Sequence, residues 1–124
     1  MFTILVVEDD APLQRMMSAF LGLNGFSVVG AANGEEALNA IDRVMPDLVI
    51  ADVMMPVMDG LEAARRIRSG ENPLGKTIPI LALTANAFLE DMQKSKDAGM
   101  NEHLSKPVDI ATLEQMVRRF CKKP

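Results

Sequence analysis

Four groups of polar residues in this sequence follow short apolar runs, and their side chains could together carry chemistry. Carboxylates follow two of the runs, a hydroxyl follows a third, and an ammonium follows a fourth. In open sheets of parallel strands, ligands bind beyond the carboxyl ends of the strands, so we expect the four groups to form one site. The groups are Glu8-Asp9-Asp10, Asp52, Thr84 and the Ser105-Lys106-Pro107 turn.

The carboxylates need positive charge if they meet. Two carboxylates about 5 Å apart repel each other by roughly 3 kcal/mol at an effective dielectric constant near 20. Lys106 is one source of positive charge, and a bound cation is the other. No His or Cys belongs to the cluster, so the ligands are hard oxygens, which suit Mg²⁺. A divalent ion, an ammonium and a hydroxyl stabilise phosphoryl oxygens, and a carboxylate in line with them can form an aspartyl phosphate.

Each group also has a plainer interpretation. Acids that follow a strand often favour the dipole of the next helix, and for Glu8 to Asp10 this explanation is as good as the functional one. Asp52 alone is compatible with a loop cap, and Thr84 with a strand-end hydroxyl. Lys106 alone is compatible with a solvated turn. Their joint occurrence at the ends of strands favours a functional site.

Short apolar runs alternate with segments of helical periodicity five times along the chain. The middle runs are apolar on both faces, as in a parallel sheet that helices cover on both sides. Five units are too few for a barrel, so the pattern predicts a flavodoxin-like doubly wound α/β sandwich with five helices. The second run ends without an ionisable group, which favours the strand order 2-1-3-4-5. The predicted strands are Thr3–Val7, Ser27–Ala31, Asp47–Ala51, Ile78–Leu83 and Met100–Leu104.

Short polar side chains mark the predicted helix starts. Asp10, Asn33, Asp59 and Asp109 each fit an N-cap position. The fourth helix, residues 87–98, is predicted to end at Gly99. The glycines, Asn and Pro between residues 69 and 77 predict a flexible connection.

Composition excludes several classes of protein. The chain has 124 residues, 48% of them apolar and 24% charged, which is typical of one packed domain over residues 1–124 rather than of a disordered segment. The net charge of −4 does not suit direct nucleic-acid binding, and the apolar runs are too short to span a membrane. The single Cys121 cannot form an internal disulfide, so we expect a reducing compartment, the cytoplasm.

These residues resemble the receiver domain of two-component response regulators, the chemotaxis-regulator type of fold. The resemblance runs from Ile4 to about Phe120, and four blocks in the same order and spacing carry it. Parts of the wording are similar to receivers attached to hybrid sensor kinases. The blocks are ILVVEDD at 4–10, DLVIADVMMPVMDG at 47–60, ILALTA at 80–85 and LSKP at 104–107.

The resemblance implies a role for each matching position. Asp52 is the expected phosphoacceptor, and Glu8 and Asp9 are the expected acid pair at the Mg²⁺ site. Asp9 is expected to bind Mg²⁺ directly, together with Asp52 and the backbone carbonyl of Met54. Thr84 and Lys106 are expected to contact the phosphoryl oxygens. The Lys106-Pro107 bond is expected to be cis.

Three further positions follow from the same resemblance. His103 stands at the switch position, where the family usually has Tyr or Phe, and we expect Thr84 and His103 to move together. Met54 and Asn86 flank the expected path of the hydrolytic water and are predicted to tune the lifetime of the phosphoryl group.

The implied function is a phosphorylation switch, which catalyses only its own phosphorylation and dephosphorylation. The expected phosphoryl donor is a histidine kinase or a histidine phosphotransfer protein. The expected downstream target is a protein that binds the face of the fourth helix, fifth strand and fifth helix. An alternative is a receiver-like interaction module that acts without phosphorylation. A phosphatase for external esters is disfavoured, because no Asp-x-Asp follows the first strand.

Overall fold

The computed structural model describes residues 2–53, 58–84 and 89–121, with the backbone alone for 89–91. Five parallel strands form one sheet in the order β2-β1-β3-β4-β5, as predicted. The three central strands β1, β3 and β4 bury most of their residues, while β2 and β5 lie at the two edges of the sheet and are largely half-buried. The strands are β1 Thr3–Val7, β2 Ser27–Ala31, β3 Leu48–Asp52, β4 Ile80–Thr84 and β5 Glu102–Ser105.

Within the described ranges, five helices of nine residues or more connect or follow the strands, and one further helix of a single turn precedes β4. The predicted N-caps are confirmed for the first three helices: Asp10, Asn33 and Asp59 each accept a hydrogen bond from a backbone N–H three residues on. Asp109 likewise accepts from the N–H of Ala111 at 3.1 Å. The helices are α1 Ala11–Leu23, α2 Gly34–Val44, α3 Gly60–Ser69, α4 Leu74–Thr77, α5 Leu89–Asp97 and α6 Ile110–Cys121.

The sheet separates two apolar clusters. Along β1, Leu5 and Val7 belong to one cluster with residues of α2 and α3, whereas Ile4 and Val6 belong to the other with residues of α1 and α6. Successive side chains of a strand point to opposite faces, and both faces here are covered. Among the described residues, no helix combines the length and the apolar composition of a membrane span.

The connection between α3 and β4, for which the sequence predicts a flexible segment, contains regular structure and side-chain hydrogen bonds. It contains α4, and the guanidinium of Arg68 fastens it to the rest of the chain. This guanidinium has no carboxylate among its hydrogen-bond partners in the described part of the chain, and burial lowers the pKa of Arg68. Arg68 donates at 2.6 to 3.0 Å to the carbonyl oxygens of Gly75, Ile78 and Gly99 and to Asn101 Oδ1.

Strands β4 and β5 begin two residues later than their apolar runs. Ile78 is buried, but it directly follows α4, and its N–H donates to the carbonyl of Leu74, the first residue of that helix. Met100 is buried in the same way, and its N–H bonds to the carbonyl of Ser95. Gly99, with a φ of 99°, ends α5 as predicted. An apolar run in the sequence therefore marks buried residues, whether they lie in a turn or in a strand.

Candidate functional site

Three carboxylates converge at the carboxyl ends of β1 and β3. Glu8 and Asp9 directly follow β1, and Asp52 is the last residue of β3. Each offers one carboxylate oxygen, and these three oxygens all lie within 4.8 Å of one another. Asp10 has a different role, because its side chain caps α1 through the N–H of Leu13. The plainer interpretation thus holds for the third acid of the run, and the functional one is favoured for the first two.

Lys106 supplies positive charge to this cluster. It follows β5, and its N–H donates to the carbonyl of Thr84 at 2.8 Å, which joins the ends of β4 and β5. Its Nζ lies 2.6 Å from Asp52 Oδ2 and 3.0 Å from Glu8 Oε1. The Lys106-Pro107 peptide bond is cis, as predicted.

The electrostatic environment of the cluster favours protonated Glu8. Burial raises the pKa of the Glu8 carboxyl from 4.5 to about 7, although the N–H of Asp10 and the ammonium of Lys106 act in the opposite direction. The carboxylate of Asp52 adds to the rise. Burial alone would lower the pKa of Lys106, but its ion pairs with Asp52 and Glu8 outweigh burial and raise it. The ion pair with Lys106 therefore does not offset the burial of the Glu8 carboxyl.

Both backbone polar groups of Glu8 are held by neighbours that the sequence analysis did not single out. The N–H of Glu8 donates to the carbonyl of Ala31 at 3.0 Å. The amide Nε2 of Gln14 donates to the carbonyls of Glu8 and Ala31, at 3.1 and 2.9 Å. A glutamine on a helix carries no periodic or motif signal, so only the coordinates could reveal this link.

The backbone around Asp52 is held by contacts with β4 and with the first residue of α3. The N–H of Val53 donates to the carbonyl of Leu83, and the N–H of Gly60 donates to the carbonyl of Val53 at 3.1 Å. A Cβ on Gly60 would overlap the carbonyl oxygen of Asp52 and lie 2.9 Å from its carbonyl carbon. The start of α3 thus packs against the backbone of Asp52 through a glycine that directly follows the cap Asp59.

Two other predicted site residues, Thr84 and His103, lie on the strands β4 and β5. Thr84 ends β4, beside β3, and is buried. His103 lies on β5, paired with Ala82 of β4, and lines a surface cavity of about 620 Å³ beside α5. Met54 and Asn86 lie outside the described residues, so their predicted roles stay predictions.

Residues 4–118 match the family model described as the response regulator receiver domain. The chain is 42% identical over 118 residues to an uncharacterized 14.6 kDa protein in the sodA1 3′ region of Leptolyngbya boryana, covering 95% of this chain and 88% of that protein. It is 38% identical to the sensor histidine kinase RcsC of Salmonella typhimurium over 97% of this chain, but spans only 12% of the kinase.

One similar solved structure contains a metal ion. The receiver domain of the sensor histidine kinase PA1611 from Pseudomonas aeruginosa is 39% identical, with a TM-score of 0.86 and 96% of each chain covered. That structure holds a magnesium ion coordinated in its active site cleft.

Proposed function

The chain belongs to the response regulator receiver domain family of two-component signalling, and from this premise we propose that Asp52 accepts a phosphoryl group from a phosphohistidine. The observation that carries the proposal is the convergence on Asp52 of two further carboxylates and the Lys106 ammonium. The phosphorylated domain then binds a protein target. The unit that does this is a single domain over residues 1–124, working in the cytoplasm.

The donor atoms of the cluster fit Mg²⁺. Three carboxylate oxygens lie within 4.8 Å, and all are the hard ligands that this ion prefers. Glu8 Oε1 is buried and, among the described residues, receives no hydrogen bond, although it is ion-paired with Lys106. Glu8, Asp9 and Asp52 would hold the ion, with the backbone carbonyl of Met54 as a further ligand that family membership implies. When bound, the ion supplies positive charge that offsets the acids and the incoming phosphoryl oxygens.

The protein groups then carry out the transfer. An oxygen of Asp52 attacks the phosphorus in line with the leaving imidazole, so that a P–O bond forms as the P–N bond breaks. The electron pair of the broken bond leaves with the imidazole of the donor. Lys106 Nζ is already 2.6 Å from Asp52 Oδ2 and can pass its hydrogen bond to a phosphoryl oxygen. Thr84, at the end of the neighbouring strand, donates its hydroxyl to another.

We propose that the protein target binds the face of α5, β5 and α6. These elements correspond to the predicted fourth helix, fifth strand and fifth helix. Thr84 pairs with Ser105 and Ala82 with His103, so strand β4 links the phosphoryl end of the sheet directly to His103. A conformer in which Thr84 closes on the phosphoryl group changes the packing of His103, and phosphorylation shifts the population toward that conformer. Met54 and Asn86 tune how long the modification lasts.

Phosphoryl uptake tests the proposal directly. The protein is incubated with acetyl phosphate, with and without Mg²⁺, and intact mass is measured. We expect the parent protein to gain one phosphoryl group only with Mg²⁺, and Asp52→Asn to gain none. Asp97→Asn, which changes an exposed aspartate of α5, is the matched control and should be labelled like the parent.

Two outcomes would contradict the proposal. A folded parent protein that gains no label with Mg²⁺ and donor would favour the interaction module that acts without phosphorylation. Release of phosphate from unrelated esters, without label on the protein, would favour a phosphatase. Transfer from a phosphorylated histidine phosphotransfer protein then tests the donor class, because the label should move from that protein to this chain.

A further inference from the structure

Gln14 ties the end of β1 to the end of β2. Its Nε2 lies between two carbonyl oxygens, 3.1 Å from that of Glu8 and 2.9 Å from that of Ala31. The carbonyl of Ala31 also accepts the N–H of Glu8 at 3.0 Å. One side-chain amide and one carbonyl therefore account for both backbone polar groups of Glu8.

Glu8 needs this support because it lies just beyond the strand pairing. The register of β1 with β3 ends at Val7 opposite Ala51, and the register with β2 ends at Val7 opposite Ala31. Beyond Val7 the backbone turns toward α1, yet its next residue carries a fully buried carboxylate. The hydrogen bond from Gln14 fixes the carbonyl of Glu8 at that turn, one residue before Asp9.

The glycine at position 30 leaves room for the side-chain amide of Gln14. It lies on the edge strand β2 and is exposed, and no positive φ requires a glycine there. A Cβ at position 30 would nevertheless lie 2.6 Å from Gln14 Oε1 and 2.9 Å from Gln14 Cδ. Any larger residue would displace the amide, so position 30 offers a second, independent way to perturb Gln14.

We propose that Gln14 is a positioning residue that holds the Glu8-Asp9 backbone so that both carboxylates face Asp52. The proposal rests on the proposed function, because the purpose of the arrangement is to bind Mg²⁺ with acids from two strands. Without the amide, the turn after Val7 samples other conformations, and the acids must be ordered at the moment of binding. Partners that orient metal ligands typically contribute roughly 10- to 100-fold to metal affinity, and we expect about tenfold here.

Three variants separate positioning from general stability. Gln14→Met keeps the length of the side chain and removes the donor. Gly30→Ala keeps the donor and displaces it. Gln115→Met changes an exposed glutamine of α6 and is the matched control. Mg²⁺ affinity is measured by titration calorimetry, unfolding by urea with circular dichroism, and exchange of the Asp9 and Asp10 amides by NMR without metal.

We expect both Gln14→Met and Gly30→Ala to raise the dissociation constant for Mg²⁺ about tenfold and to speed amide exchange at Asp9 and Asp10. Phosphoryl uptake should return to the parent level at saturating Mg²⁺, and Gln115→Met should match the parent throughout. If Gln14→Met does not fold, Gly30→Ala decides the question by the same measurements.

A purely structural role would lower the urea midpoint while leaving Mg²⁺ affinity and local amide exchange unchanged, and that result would overturn the proposal. A parent protein that binds no Mg²⁺ would refute the proposed function itself. A parent that binds Mg²⁺ and takes up phosphoryl, with Gln14→Met and Gly30→Ala indistinguishable from it, would refute only the role of Gln14.

Discussion

Lowering the pH from 8 to 6 should weaken Mg²⁺ binding about tenfold, because Glu8 must lose a proton before it can bind the ion. The Glu8 carboxyl is fully buried, and its pKa is raised to about 7. At that pKa, about 90% of the Glu8 side chains are protonated at pH 6 and about 10% at pH 8. If Mg²⁺ binds only the carboxylate form, the apparent affinity follows the deprotonated fraction, which changes about tenfold over this range.

The same reasoning fixes the number of protons released. Each Mg²⁺ bound should displace about 0.9 proton at pH 6, about 0.5 at pH 7 and about 0.1 at pH 8. Titration calorimetry in two buffers with different ionisation heats measures this number directly. Glu8→Gln removes the titrating group, so its weaker affinity should be constant between pH 6 and 8. His103→Gln is a second control, because it replaces the imidazole on β5 and leaves the carboxylates of the cluster unchanged.

In the metal-free protein, the raised pKa of Glu8 should make the free energy of unfolding depend on pH. The pKa of Glu8 is raised above the unfolded value of 4.5, so between about pH 4.5 and about pH 7 the native state keeps a proton that the unfolded chain has released. The free energy of unfolding should therefore fall as the pH rises through this window, and Glu8→Gln should remove that slope. A parent protein whose Mg²⁺ affinity changes less than about twofold between pH 6 and 8, with no proton released, would refute the reasoning.

Two further predictions concern the framework of the site. Gly60→Ala should lower the free energy of unfolding by about 2 kcal/mol or more and reduce phosphoryl uptake, because the new Cβ would overlap the backbone carbonyl of Asp52. Arg68→Met should lower it by about 3 kcal/mol, because three carbonyl oxygens and an amide oxygen lose a charged donor in a partly buried setting. Urea unfolding followed by circular dichroism measures both.

Each of these predictions has a control of the same chemical change. Gly22 lies in α1 with open space around its Cβ direction, so Gly22→Ala should leave stability unchanged or raise it by up to about 1 kcal/mol. Arg66 is exposed and, in the part of the chain that the structure describes, its side chain pairs only with Glu62 on its own helix, so Arg66→Met should cost less than about 0.5 kcal/mol. Equal effects at positions 60 and 22, or at positions 68 and 66, would contradict the packing arguments.

Short-range patterns predicted the strands and the cluster well. Apolar runs mark β1, β3 and β4, because both of their faces are covered, and the acids just after β1 and at the end of β3 meet at one end of the sheet. Capping residues likewise act within three residues of their partners, so Asp10 and Asn33 were visible as helix starts.

Contacts between distant residues escaped prediction. Gln14 and Arg68 use ordinary helical positions to reach backbone carbonyls on other elements, and a carbonyl is present whatever the residue type. For that reason the segment after α3 was predicted to be flexible, although it is held in place. The separate roles of Glu8, Asp9 and Asp10 also depended on side-chain directions that the order of the letters does not contain.

The setting of the Arg68 side chain has a consequence for how the domain behaves in acid. All five of its N–H groups meet neutral oxygen atoms, so no proton can neutralise a counter-ion and loosen the junction of α3, α4 and the turn before β5. Glu8 beyond β1, by contrast, has its pKa raised to about 7 and loses its charge as the pH falls through that value. Mild acid should therefore weaken Mg²⁺ binding at the carboxyl ends of the strands, while the hydrogen bonds of Arg68 at the opposite end of the sheet stay intact.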